Sequence, residues 1–98
     1  MDDLIRQAIA ERRIVSFRYN GQRRIGEPHL LGLAQGRARL LVYQTEGSSQ
    51  NGPYPRWRQC DLSDIARFIL TSRTFESARL NAAGSLKDWD EVWAIVQD

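Results

Sequence analysis

The period of the apolar residues divides the chain into segments. Leu4, Ile5, Ala8 and Ile9 fall on one helical face, with Asp2 or Asp3 as the cap and Arg12 and Arg13 in the last turn, where the helix dipole favours cations. From Ile14 the period shortens to two. Val15, Phe17 and Tyr19 alternate with Ser16 and Arg18 up to Asn20-Gly21, a hairpin signal. A two-residue loop would set Arg18 opposite Arg23 and Phe17 opposite Arg24. A three-residue loop, Tyr19-Asn20-Gly21 with Gly21 left-handed, faces Val15 with Ile25 and keeps arginine off the apolar side, so this second register is the one expected. The returning strand runs from about Arg23 toward Leu33. Pro28 in "GEPH" cannot donate to a ladder, which implies an edge, a bend or a bulge.

A turn at "AQGR" leads into "ARLLVYQT", residues 38–45, which has the pattern of a central strand. "EGSSQNGPYP" reads as a long loop. "RWRQCDL" resumes extended structure, with Trp57, Gln59 and Asp61 on one side and Arg58, Cys60 and Leu62 on the other. In "SDIARFILTSRTF" a short turn precedes a strand that alternates Phe68, Leu70 and Ser72 against Ile69, Thr71 and Arg73. Finally, residues 81–98 predict an amphipathic helix, capped by Ser85, with Leu86, Trp89, Val92, Trp93 and Val96 as its stripe. Helix, four or five short strands, helix describes a mainly β fold: a small, strongly bent sheet or barrel with one N-terminal and one C-terminal α-helix.

At 98 residues the chain has room for one domain, here taken as 1–98. Its 42% hydrophobic and 27% charged residues suit a globular protein, and no apolar run approaches the ~20 residues of a membrane helix. "MDDLIRQ" lacks the layout of a signal peptide, so a cytoplasmic location is expected. The net charge of +2 conceals an asymmetry. Residues 12–39 hold seven arginines against Glu27, whereas residues 81–98 hold Lys87 against Asp88, Asp90, Glu91 and Asp98.

Little of this suggests catalysis. No phosphate-binding loop is present, the serines have no histidine partner beyond His29, and a single cysteine, Cys60, with one histidine gives no basis for a metal centre or cofactor. Asp61 and Asp64 flank a turn and are expected to cap it. The anion-binding candidates are Arg18, Arg23, Arg24, Arg37, Arg39, Arg56 and Arg58, with Tyr19, Tyr43 and Trp57 as stacking groups and His29 as a donor or acceptor. Guanidinium groups interleaved with aromatics suit a nucleotide or single-stranded nucleic acid. Trp89 and Trp93, four apart, pack on the sheet or form the contact of a homodimer or a protein partner.

Three stretches, "IRQAIAERRIVSFRYNGQRRIGEPHLLGL", "GRARLLVYQ" and "RWRQCDLSDIARFILTSRTF", together resemble a WYL domain, a bacterial sensor module named for a Trp-Tyr-Leu tripeptide. The resemblance covers residues 4 to about 80. It is carried by Val15, Phe17, Tyr19, Arg23, Arg24 and Pro28, with His29 following, and by Arg58, Cys60, Leu62, Ile65 and Phe75. Ala38, Arg39 and Leu40 stand at the tripeptide, so only its leucine is kept, and Asp64 replaces a usual arginine. The resemblance implies an SH3-like, Sm-like β-barrel over 4–80 and a non-enzymatic role in sensing an anionic ligand for bacterial transcription regulation. Such regulators usually carry a helix-turn-helix domain ahead of the module, which leads to the expectation of a stand-alone module or a fragment.

Overall fold

The computed structural model describes residues 1–47, 56–76 and 88–97, with the side chain of Arg56 outside that set. Helix α1 (Asp2–Glu11) is followed by β1 (Arg13–Tyr19), β2 (Gln22–Ala34), β3 (Arg37–Gly47), β4 (Arg56–Asp61), a 3₁₀ turn (Leu62–Asp64), β5 (Ile65–Thr74) and β6 (Glu91–Ile95). All ladders are antiparallel, in the order β4-β3-β2-β1-β5, with β6 pairing β2.

The sheet is open, which corrects the expected barrel. Its ends, β4 and β5, are consecutive in sequence and meet at the 3₁₀ corner, with no ladder between them. Near that corner the backbone N–H of Asp61, at the end of β4, donates to the hydroxyl of Tyr19, at the end of β1, at 3.1 Å. The sheet therefore curls strongly around its core without closing.

β2 explains the curl. Along one edge it pairs with β3 from Arg24 to Ala34, while its other edge is shared, β1 taking Gln22–Gly26 and β6 taking Leu30–Leu33. Register shifts at Ile25/Gly26 and Pro28/Leu30 bend the strand between these halves. Pro28, fully buried, sits in the gap between β1 and β6 where no ladder donor is required.

The C-terminal helix is also corrected. Residues 91–95 form a strand, while the expected cap Ser85 and Leu86 of the stripe lie outside the described residues. Val92, Trp93 and Ile95 are β-branched or aromatic, and they fill the half of the β2 edge that β1 leaves bare, so tertiary pairing overrides helical periodicity. Gly32 makes room for this approach. A Cβ there would lie 2.1 Å from the backbone oxygen of Glu91.

At the N-terminal end, Ile5, Ala8 and Ile9 are buried, whereas Leu4 is exposed. No side chain caps α1; Asp2 instead pairs with Arg6 at 2.9 Å. Arg12 terminates the helix in the left-handed conformation and Arg13 already belongs to β1, so neither lies in the last turn as expected. The Arg12 guanidinium donates to the carbonyls of Glu76 and Gln97, tying the helix end to two later segments.

The main core lies between α1 and the sheet, gathering Ile5, Ile9, Val15, Phe17, Leu31, Leu40, Val42, Cys60, Phe75 and Val96. Behind the sheet, Leu30, Ala34, Leu41 and Trp89 form a smaller cluster flanked by Trp57 and Ile95.

Candidate anion-binding site

The hairpin register decides where the arginines go. Tyr19 faces Gln22, Arg18 faces Arg23, and Phe17 faces Arg24. This is the two-residue loop, with Asn20 (φ 52°) and Gly21 (φ 81°) both left-handed as a type I′ turn requires, and the expected three-residue loop is not formed. The twist match of the tight turn outweighs the two costs that argued against it, an arginine on the apolar side and a like-charged pair.

Arg24 therefore points inward on the Phe17 side and is 9% exposed. One of its terminal nitrogens donates to Gln44 Oε1 and the other to Gln22 Oε1, each at 3.3 Å, and the guanidinium carbon lies 5.4 Å from the Tyr19 ring centroid. Its buried Nε–H has no hydrogen-bond partner, and no carboxylate among the described residues stands within ion-pair distance. Arg58, from β4, donates through Nε to the same Gln44 Oε1 at 2.9 Å. Fully buried Gln44 thus draws two guanidinium groups from distant strands to one point.

Around this point is a cavity of about 310 Å³, lined by Tyr19, Asn20, Gln22, Arg24, Arg58, Gln59 and Cys60. Two arginines, the amides of Asn20 and Gln22 and a phenol line it, without a carboxylate among the described residues. Burial pushes the Cys60 thiol up to about 11, although Arg24 and Arg58 pull the other way, so the sulfur stays protonated and unreactive at neutral pH. Burial also raises the pKa of Tyr19, opposed by its hydrogen bond from Asp61, and keeps the ring a neutral wall. Such a lining can accept a phosphate or carboxylate, with the planar forks of Arg24 and Arg58 as donors.

The other candidates are dispersed. Strand alternation puts Trp57 on the face opposite Arg58, where it packs edge-on to Tyr43 (5.0 Å between centroids) and His29 (4.9 Å). His29 is fully buried, stacked on Phe75 and bonded through Nδ1 to the Glu27 carbonyl at 2.8 Å. Arg37 and Arg39 both pair with Asp61, at 3.0 and 2.8 Å, so that carboxylate neutralises arginines instead of capping the 3₁₀ turn. Arg18 and Arg23 face outward. Trp89 is buried in the rear cluster, and half-buried Trp93 donates its indole N–H to Glu91 at 3.0 Å.

Gln22, Gln44, Gln59 and Asn20 were missed from sequence. For Gln44 a signal existed: in "ARLLVYQT" it continues the Leu40, Val42 face, and a polar residue on a core face demands a buried partner. Among the described residues no helix is long and apolar enough to cross a membrane. No family model, curated protein or solved structure matches the chain.

Proposed function

We propose that the chain is a non-enzymatic, WYL-like binding module of the bacterial cytoplasm that takes the phosphate of a nucleotide or of a single-stranded nucleic acid between Arg24 and Arg58. The observation that carries this reading is Arg24: a buried cation with an unsatisfied Nε–H, no carboxylate partner among the described residues and a 310 Å³ cavity beside it. Burying a charge in this way costs several kcal/mol that an anion would offset, because opposite charge and additional acceptors arrive together. Tyr19, already stacked under Arg24, supplies an aromatic wall for a base or sugar, and the amide of Gln22 offers a neutral polar contact.

The resemblance supports the same pair of residues, since Arg24 and Arg58 are among those that carry it. A ligand-sensing role in transcription regulation follows from that resemblance and would couple the pocket to a DNA-binding partner.

Isothermal titration with adenosine monophosphate at about 20 mM salt tests the reading. Saturable binding that weakens as salt rises is expected, and Arg58→Gln should weaken it at least about tenfold, the loss of one charge-assisted pair. Absence of saturable heat for the nucleotide at low salt would refute it.

A further inference from the structure

Six arginines are exposed among the described residues. Arg6 pairs with Asp2, Arg37 with Asp61 and Arg73 with Glu46. The other three, Arg18, Arg23 and Arg67, have no carboxylate within ion-pair distance among those residues. All three line one groove of about 180 Å³, completed by Ser16, Phe17 and Ile69.

Two features of the backbone put them there. The two-residue hairpin sets Arg18 directly opposite Arg23 on the outer face of β1 and β2, the side away from Arg24. Next to them, pairing between β1 and β5 slips between Ser16/Ile69 and Arg18/Ala66, leaving an extra residue on β5; Arg67 lies in this bulge with φ 56°. A non-glycine residue is held in a strained conformation and a like-charged pair is held face to face, both at one spot. Both carry an energetic cost, and an anion in the groove would relieve that of the charged pair.

We propose that Arg18, Arg23 and Arg67 form a second anion site, separate from the Arg24/Arg58 cavity, that grips the phosphodiester backbone of a nucleic-acid strand. Planar guanidinium forks suit phosphate oxygens, and a groove this small holds one phosphate at a time. Ile69, 57% exposed, is the large apolar side chain beside it, and the groove's one aromatic, Phe17, is buried in the core. With no exposed ring to stack on a base, contact here is with the backbone and independent of sequence.

The test is fluorescence anisotropy with a labelled fifteen-nucleotide oligothymidylate between 20 and 200 mM KCl, using the whole chain. Each phosphate contact on a single strand contributes a slope of about −0.7 in log K against log salt. Arg67→Gln is therefore expected to reduce the magnitude of the slope by about 0.7, and the combined Arg18, Arg23 and Arg67 to Gln variant by about 2. Affinity for adenosine monophosphate, which reports the other cavity, should remain unchanged in these variants. Polyglutamate of matched charge should bind at least tenfold more weakly than the oligonucleotide. Unchanged slopes and affinities within twofold for both Arg67→Gln and Arg18→Gln would overturn the proposal, as would polyglutamate binding as tightly as oligothymidylate. Failure of the mononucleotide to bind, with the oligonucleotide slopes still responding, would refute the first site and leave this one standing.

Discussion

Replacing Arg24 by methionine should leave the fold about as stable as before while removing its response to ligand. Methionine keeps much of the side chain's length and apolar volume. The substitution removes two hydrogen bonds at 3.3 Å, near the long limit, worth about 1 kcal/mol each, and a cation–π contact worth about 1 kcal/mol. Against this, it removes an unsatisfied buried Nε–H, worth about 1–3 kcal/mol, and the desolvation cost of a cation with no counter-ion among the described residues. Gln44 keeps its bond from Arg58 and is not orphaned. The sum lies within about 1 kcal/mol of zero, whereas truncating a neighbouring core residue such as Leu31 to alanine should cost about 2–5 kcal/mol. Thermal unfolding followed by circular dichroism reads both halves of the prediction. Without ligand, the Arg24→Met midpoint should shift by no more than about 8 °C. With adenosine monophosphate at a hundred times its dissociation constant, the wild-type chain should gain about 2.7 kcal/mol, or roughly 10 °C or more, and the variant nothing. A loss of more than about 3 kcal/mol in the ligand-free variant would show that Arg24 is a structural keystone and that the argument from its missing partners is mistaken.

Other consequences are open to measurement. Gly32→Val should force β6 away from β2, costing about 1–3 kcal/mol and accelerating hydrogen exchange across residues 91–95, because its Cβ would meet the Glu91 backbone. Gly21→Val should cost about 1–2 kcal/mol in urea unfolding even though the space there is open, because φ is 81°. The thiol of Cys60 has its pKa raised from 9.0 to about 11, so its contribution to stability is complete below the unfolded value and lost as pH rises toward 11. Tyr19, also raised, acts in the same sense. Denaturation midpoints should accordingly fall between about pH 9 and 11, and Cys60→Ala should fall less steeply.

The first helix, the five strands through residue 74 and the places of the two turns were legible because each is encoded locally, by apolar period or by turn residues such as Asn20-Gly21 and Gln35-Gly36. Residues 91–95 were not, since Trp89, Val92, Trp93 and Val96 satisfy a helical stripe equally well. Their strand exists because β2 has an unfilled edge, a fact about another part of the chain. The register of the first hairpin was misjudged for a related reason. Reading arginine as excluded from an apolar side assumed that no polar group awaited it, and Gln44, twenty residues on, is that group. The same alternation separates Trp57 from Arg58, so the interleaved "RWR" pattern that suggested one stacking surface divides between two faces.

The shared edge of β2 also orders events in time. Leu30–Leu33 can pair with β3 through a tight turn at Gln35-Gly36, a local step, but its other side waits for a segment about sixty residues downstream. Until residues 91–95 arrive, the chain carries a bare hydrophobic strand edge containing Leu30, Leu31 and Leu33, the kind of template that recruits another chain. Docking of β6 is thus both the completion of the sheet and its protection, and a chain interrupted before Glu91 would be prone to exchange strands with its neighbours.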